Sequence, residues 1–174
     1  MGTLFNNWGI KGPGEIPPKR YLMLKQCFQY AAVNNIDFTP PKTHPFNPLY
    51  ALRLATAICG EQDKEKIIDH LWTTCWSKGN SLGEADFLEE ELNTIGLDGK
   101  ALLERTFERD VKQQLKANTK EAIANKAFGV PSFVYENELY WGNDSLTFLR
   151  MALKDNTPNW DVKLFNDRIS DIVP

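Results

Sequence analysis

The sequence predicts an α/β chain, mostly helical, in which a long series of helices precedes one β-hairpin. Two observations support this prediction. Apolar residues recur at helical spacing, between capping and stop signals, over residues 20–128. Two short runs rich in aromatic and β-branched residues follow, Ser132–Tyr135 and Glu138–Trp141, with Glu136-Asn137 between them. Two such runs separated by two residues are typical of strands joined by a tight turn.

Composition and charge exclude several classes of protein. The 174 residues suit one domain with a sizeable core. The net charge is −3 and the pI is about 5.5, so no basic surface indicates nucleic acid as a partner. No apolar run approaches membrane-spanning length, and the start lacks the pattern of a signal peptide. Three widely spaced cysteines argue against a disulfide framework and for a reducing compartment, so we expect a cytoplasmic protein. Because no apolar run is long enough to span a membrane, we expect no membrane partner.

The remaining elements are predicted from glycines, prolines and caps. Residues 1–19 are rich in Gly and Pro and predict a loop, and residues 155–174 predict a tail. The predicted helices are residues 20–34, 48–59, 63–78, 84–95, 98–128 with a bend near Asp110, and 145–154. Their expected caps and stops are Asn47, Gly60, Gly96 and Asp98. The tail residues expected to pack back on the protein are Trp160, Leu164 and Phe165.

Several side chains receive a structural interpretation. Two adjacent apolar lines on the 63–78 helix predict a wide buried face. The lines consist of Ile67, Leu71 and Cys75, and of Ile68, Trp72 and Trp76. Glu89-Glu90-Glu91 predicts a solvated helix face. His70 and Cys75 are five residues apart, which does not align them on a helix, so we expect no metal site. The sequence contains no Cys-x-x-Cys, so we expect no dithiol centre.

Val130-Pro131 stands at the entrance of the first predicted strand. The preceding helix is expected to end at Phe128, with Gly129 as a left-handed stop. A proline at this position is a candidate for a cis peptide bond. If the bond is cis, the Val130 backbone points outward, and an extended peptide can pair with it. The alternative is a rigid strand entry without a binding role.

Asn143 and Asp144 follow the second predicted strand and are expected to cap the last helix. The free N–H groups at a helix N-terminus attract an anionic group. The pair therefore predicts a binding site for a charged ligand, and the alternative is an ordinary helix cap.

This pattern resembles the second half of a thioredoxin fold, and more closely the DsbA-like branch with 2-hydroxychromene-2-carboxylate isomerases and kappa-class glutathione transferases. The motifs that support the resemblance are Phe128-Gly129-Val130-Pro131, Trp141-Gly142-Asn143-Asp144, and Trp8-Gly9 with residues 11–20. The resemblance covers about residues 2–154. It implies an α/β, thioredoxin-like fold with a large all-helical insertion, without the family's first strand–helix–strand unit. The implied regions are 1–19 (loop and remnant), 20–116 (insertion), 117–154 (thioredoxin-like half) and 155–174 (tail).

The resemblance also implies glutathione as the cofactor. Val130 and Pro131 match the residues that pair with the cysteinyl backbone, and Asn143 and Asp144 match those that hold the γ-glutamyl group. Lys19 matches a lysine that contacts the peptide. Ile10 stands where some members carry a glutathione-contacting Asn, so that contact is expected to be absent.

A substrate cleft is implied as well. Its candidate residues are Trp8, His44, Asn47 and Arg53. Arg53 would meet a carboxylate of the substrate, and the alternative is a surface arginine. The implied substrate is a small electrophile or an aromatic-degradation compound, and the implied assembly is a homodimer.

In the family a serine near the first strand stabilises the glutathione thiolate, which adds to a conjugated acceptor; a bond rotates and elimination gives the isomer. Nothing before Gly9 supplies that strand, so no catalytic residue is assigned and the chain as written is expected to be inactive. The alternatives are a kappa-class-like transferase and a non-catalytic thioredoxin-like binding protein. A disulfide oxidoreductase is disfavoured because no Cys-x-x-Cys exists.

Overall fold

The computed structural model describes residues 2–58 and 61–172, and its internal contacts divide the chain into two compact units. The helical unit is Gly2–Ala122, and the hairpin unit is the described part of Ile123–Pro174. The helical unit contains α1 (Gly2–Trp8), a 3-10 turn (Pro13–Glu15), α2 (Pro17–Asn34), α3 (Leu49–Ala57), α4 (Glu61–Trp76), α5 (Ala85–Thr94), α6 (Gly99–Arg105) and most of α7 (Arg109–Ala124). The hairpin unit contains β1 (Ser132–Tyr135), β2 (Glu138–Trp141), a 3-10 turn (Asn143–Ser145), α8 (Leu146–Ala152) and α9 (Val162–Ile172).

The first nineteen residues are mostly helical, so the predicted loop is wrong. Helix α1 buries Leu4 and ends at Trp8, and Gly9 directly after it has a φ of 63°. Helix α2 begins at Pro17, three residues earlier than predicted. Prolines fit the first turn of a helix because their missing N–H would have no partner there. The residues that predicted a loop are therefore a helix stop and a helix start.

Helices α3, α4, α5 and α6 share the core of the helical unit. The fully or almost fully buried residues of this core are Leu54, Ile67, Leu71, Cys75, Leu82, Leu88, Leu92 and Leu103. The first predicted line of α4 is thus confirmed. The second line is wrong in part, because Ile68 and Trp76 are half-buried and Trp72 is 61% exposed. Trp72 instead lies beside Trp76, with ring centroids 6.4 Å apart.

The predicted cap at Asp98 is confirmed, because Asp98 Oδ1 accepts a hydrogen bond from Ala101 N at 2.9 Å. The predicted cap at Asn47 is wrong, because the cap position of α3 is Pro48, although Asn47 Oδ1 accepts a hydrogen bond from Leu49 N at 3.1 Å. The predicted bend near Asp110 is a break between α6 and α7. Arg105 donates to Glu108 and to Asp110 Oδ2 (2.7 Å) across this break, and the hydrogen bond from Arg105 lowers the pKa of Asp110. The predicted stop at Gly60 lies outside the described residues.

A buried polar cluster joins α4 to α5. Glu91 Oε2 accepts hydrogen bonds from His70 Nε2 and Thr74 Oγ1, each at 2.8 Å. Thr74 is fully buried, and the side chains of His70 and Glu91 are only 15% and 16% exposed. A carboxylate can only accept, so His70 must carry its proton on Nε2. The interpretation of Glu91 as part of a solvated face is therefore wrong.

The predicted hairpin is confirmed residue for residue. Ser132 lies opposite Trp141, and Tyr135 lies opposite Glu138, in an antiparallel pair. The two turn residues have φ values of 50° and 65°, as a primed hairpin turn requires. The peptide bond Val130-Pro131 is cis, as predicted, and so is His44-Pro45.

Helix α7 ends at Ala124, four residues before the predicted end, and the left-handed residue is Lys126, with a φ of 61°. The prediction of Gly129 as the stop is wrong. A Cβ at Gly129 would lie 2.5 Å from Trp141 Nε1, so glycine is needed there for close packing. The Phe128 and Trp141 rings also pack, with centroids 4.9 Å apart.

The predicted tail contains helix α9, which begins where Asp161 Oδ1 accepts a hydrogen bond from Leu164 N at 2.7 Å. Trp160 and Phe165 pack on each other, with centroids 5.3 Å apart. Together with Leu164 they remain about half exposed, so the prediction that they are covered is wrong. No helix in the described part of the chain is both long and apolar enough to cross a membrane.

Candidate functional site

The entrance of β1 carries an open piece of backbone. The Val130 side chain is 65% exposed. No hydrogen bond joins the Val130 N–H or C=O to another residue that the structure describes. A peptide backbone laid along this segment would therefore find a donor and an acceptor without displacing an internal bond.

One hydrogen bond holds this segment against the start of the next turn. Gly142 N donates to Pro131 O at 2.9 Å. Gly142 has a φ of 79° and leads directly into the 3-10 turn that contains Asn143 and Asp144. The structure thus brings together the two parts of the hairpin unit that were predicted to bind glutathione.

Asn143 and Asp144 do not act as side-chain caps, so that part of the prediction is wrong. The cap position belongs to Gly142, and no side chain makes a capping hydrogen bond there. Both residues are exposed, and no ion pair or hydrogen bond joins either side chain to another described residue. The carboxylate of Asp144 and the first N–H groups of the turn are therefore available to a ligand.

The other residue predicted to contact glutathione lies in the helical unit. Lys19 is exposed in the first turn of α2. Trp8, a predicted cleft residue, is 42% exposed at the end of α1. Neither belongs to the hairpin unit, so the site built from the described geometry consists of Val130, Pro131 and the Asn143–Ser145 turn.

The remaining cleft candidates differ in their surroundings. His44 is exposed and packs edgewise on Trp76, with centroids 5.4 Å apart. Asn47 is exposed, and its Oδ1 accepts a hydrogen bond from Leu49 N at the start of α3. Arg53 is half-buried, and its Nε is buried without a hydrogen-bond partner among the described residues. A buried unpaired guanidinium nitrogen is costly, so Arg53 is not an ordinary surface arginine.

The described cysteines do not form a reactive centre. Cys75 is 1% exposed, and burial raises the pKa of its thiol to about 11. Cys27 is half-buried. Within the described ranges no group of three His, Cys, Asp or Glu residues could hold a metal ion.

We expect Cys75 to resist alkylation in the folded protein. With a thiol pKa of about 11, only about a thousandth of Cys75 is thiolate at pH 8, and the thiolate is the nucleophile. Iodoacetamide treatment followed by mass spectrometry should label Cys27 before Cys75. In urea the two labelling rates should become similar. Equal rates in the folded protein would contradict the burial of Cys75.

Comparisons with known proteins agree with this architecture. The model of the DSBA-like thioredoxin domain matches residues 4–154. The chain is 24% identical over 149 residues to the 2-hydroxychromene-2-carboxylate isomerase of Sphingobium xenophagum, covering 84% of this chain and 75% of that protein. It is 28% identical over 160 residues to glutathione S-transferase kappa 1 of Homo sapiens, covering 83% of this chain and 70% of that protein.

A solved structure of a 2-hydroxychromene-2-carboxylate isomerase shares the fold. Its TM-score is 0.79 at 17% sequence identity, and the match covers 88% of this chain and 76% of that chain. The predicted α/β, thioredoxin-like and mostly helical fold is thereby confirmed, and the matched residues agree with the extent of the predicted resemblance. The chain belongs to the DSBA-like thioredoxin domain family.

Proposed function

We propose that this chain binds glutathione and is of the glutathione-dependent isomerase type. The observation that supports this most strongly is the hydrogen bond from Gly142 to Pro131, because it places the open Val130 backbone beside Asn143 and Asp144. The names of the similar proteins add support, since one is an isomerase and the other a glutathione transferase.

The chemistry of the tripeptide fits this arrangement. The cysteinyl backbone pairs with the N–H and C=O of Val130, with Pro131 fixing the segment. The γ-glutamyl end carries a carboxylate and an ammonium group. The first N–H groups of the 3-10 turn and the amide of Asn143 bind the carboxylate, and Asp144 binds the ammonium. Lys19, which lies in the helical unit, stays a prediction of the resemblance.

The reaction proposed for a glutathione-dependent isomerase of this type returns glutathione unchanged. Its thiolate adds to the end of a conjugated double bond, so a C–S bond forms and the double bond becomes single. Rotation follows, the C–S bond breaks, and the electron pair returns to the thiolate. Arg53 would recognise a carboxylate on a small electrophilic or aromatic-degradation substrate. The other residues proposed for the cleft are His44, Trp8 and Asn47.

Holding the sulfur anionic is a separate requirement. A thiol is mostly protonated near neutral pH, and a donor or positive dipole at the sulfur is needed to lower its pKa. Val130, Asn143 and Asp144 are assigned to the backbone and the γ-glutamyl group. No side chain is proposed as catalytic, and the chain is proposed to bind glutathione in a reducing, cytoplasmic compartment, as a homodimer.

Two further functions use the same tripeptide site. A kappa-class-like transferase would direct the thiolate to an electrophile that loses a leaving group, so glutathione would be consumed. A thioredoxin-like binding protein would hold the tripeptide without chemistry. Assays with a 2-hydroxychromene-2-carboxylate and with an aryl halide, each with and without glutathione, distinguish the three.

Removing the charge of Asp144 should weaken glutathione binding about tenfold. A hydrogen bond to a charged group contributes about 1.5–3 kcal/mol, and an exposed one falls near the lower limit. We expect Asp144→Asn to raise the Kd for reduced glutathione in calorimetric titration. Asp155→Asn is the matched control, because Asp155 is exposed in the same unit and Asn tolerates its φ of 51°. Equal affinity of both variants and the wild type would contradict the role of Asp144.

A further inference from the structure

The peptide unit that carries the Val130 N–H is held through its carbonyl oxygen. Ser132 Oγ donates a hydrogen bond to Gly129 O at 2.8 Å. The unit that joins Gly129 to Val130 is trans, and a trans unit is planar, with its C=O and N–H pointing in opposite directions. The bond that fixes the Gly129 C=O therefore also fixes the direction of the Val130 N–H, for which no described residue is an acceptor.

The indole ring of Trp141 holds the same peptide unit from a second side. A Cβ added at Gly129 would lie 2.5 Å from Nε1 and 3.3 Å from Cε2 of Trp141, so the five-membered ring lies directly against the Gly129 Cα. Gly129 is buried under this ring, whereas Val130 next to it is 65% exposed. Trp141 lies opposite Ser132 in the hairpin, so the two residues that hold Gly129 form one cross-strand pair.

The segment is also held on the other side of Val130. Gly142 N donates a hydrogen bond to Pro131 O at 2.9 Å. The residues before and after Val130 are thus both fixed by contacts within the hairpin unit, while Val130 makes no hydrogen bond with a described residue. A binding segment that is ordered before the ligand arrives loses less conformational entropy when it binds.

We propose that Ser132 is a positioning residue for glutathione, an inference that rests on the glutathione binding proposed above. Through Gly129 O, Ser132 keeps the Val130 N–H in the orientation in which the cysteinyl C=O of the tripeptide accepts its hydrogen bond. Trp141 keeps Gly129 in place for this contact. A hydroxyl has one proton, and Ser132 donates it to Gly129 O, so this serine is not a donor to the glutathione sulfur.

Backbone relaxation of the ¹⁵N-labelled protein without ligand tests the positioning directly. We expect an order parameter of about 0.85 for the Val130 amide, as in rigid backbone, although no described residue accepts its hydrogen. Ser132→Ala should lower this value toward about 0.6, which is typical of flexible backbone. Ser132→Thr should restore it, because threonine has the same hydroxyl and fits a strand. Equal order parameters in the wild type and Ser132→Ala would overturn the proposal.

Calorimetric titration with reduced glutathione then tests whether the orientation is used in binding. Ser132→Ala should raise the Kd about fivefold, because the backbone of one residue would be ordered at binding rather than before it. Ser132→Thr should restore the wild-type Kd. Thr119→Ala is the control, because Thr119 Oγ1 donates to Leu115 O at 2.9 Å in the helical unit. This variant loses a comparable hydrogen bond and should leave both the Kd and the Val130 order parameter unchanged.

The two measurements separate this proposal from the proposed function. If the wild type does not bind glutathione, the proposed function fails, and the relaxation measurement alone decides whether Ser132 orders Val130. A lower order parameter in Ser132→Ala without a change in Kd would overturn the proposal, because the orientation of the Val130 N–H would then not contribute to binding. Weaker binding that Ser132→Thr does not rescue would also overturn it, since the hydroxyl would not be the cause.

Discussion

Replacing Glu91 by alanine should lower the free energy of unfolding by about 3 kcal/mol. The Thr74 hydroxyl is fully buried, and the His70 side chain is 15% exposed, so both would lose their acceptor in a dry environment. Each buried polar group left without a partner costs about 1–3 kcal/mol. The two together give this estimate, reduced by any new hydrogen bond of Thr74 within α4. Urea denaturation followed by circular dichroism measures the change.

Two variants separate the buried contacts from the loss of a charge. Glu91→Gln keeps an acceptor for Thr74 or His70 and should recover most of the stability. Glu90→Ala removes a neighbouring carboxylate that is exposed on the same helix, and it should change stability by less than about 0.5 kcal/mol. A loss in Glu90→Ala as large as that in Glu91→Ala would mean that the cluster has no special role.

The case of Glu91 shows why sequence periodicity recovered the core but not the polar cluster. Leu88 and Leu92 are four residues apart, which puts them on one face of α5, and both are fully buried. Glu91 is adjacent to this line, and whether such a carboxylate turns inward depends on a partner across the helix interface. His70 is 21 residues away in sequence, so only the tertiary packing of α4 against α5 reveals the pair.

The candidate site was largely predictable because it depends on local signals. Hairpin length, turn residues and Pro131 together set the register, and the register places Gly142 opposite Pro131. The use of Gly142 as the cap was missed, since Asn and Asp at a helix start predict a side-chain cap. Arg53 is a different case: its buried Nε follows from packing around α3, which no pattern in the sequence indicates.

The prediction of a loop over residues 1–19 was wrong for a specific physical reason. Gly9 and Pro17 are residues that interrupt structure in general, but each also has a position at which it fits a helix end. Gly9 provides the left-handed conformation after α1, and Pro17 occupies the first turn of α2. A dense series of such residues therefore indicates several short elements as readily as a loop, and the sequence alone does not distinguish the two.

A methyl group added at Gly99 should cost about 3 kcal/mol or more of stability. Gly99 is buried at the start of α6, where its N–H donates to Asn93 Oδ1 at 3.0 Å. A Cβ there would overlap the backbone carbonyl of Glu89, so α5 and α6 would have to separate. Overpacking of this kind costs about 1–3 kcal/mol and more when the backbone must move. The two nearest atoms belong to the Glu89 backbone, so the movement of a side chain alone would not relieve the overlap.

Gly83→Ala is the control for Gly99→Ala. Both glycines lie in the helical unit, but a Cβ at Gly83 would meet its nearest neighbour, Ser81 Oγ, at an ordinary 3.5 Å. Gly83→Ala should therefore be neutral or stabilise by about 0.4–1 kcal/mol through the unfolded state. Equilibrium urea unfolding of the two variants gives the comparison. If Gly99→Ala unfolded at the same midpoint as Gly83→Ala, the close backbone approach of α5 and α6 would be wrong.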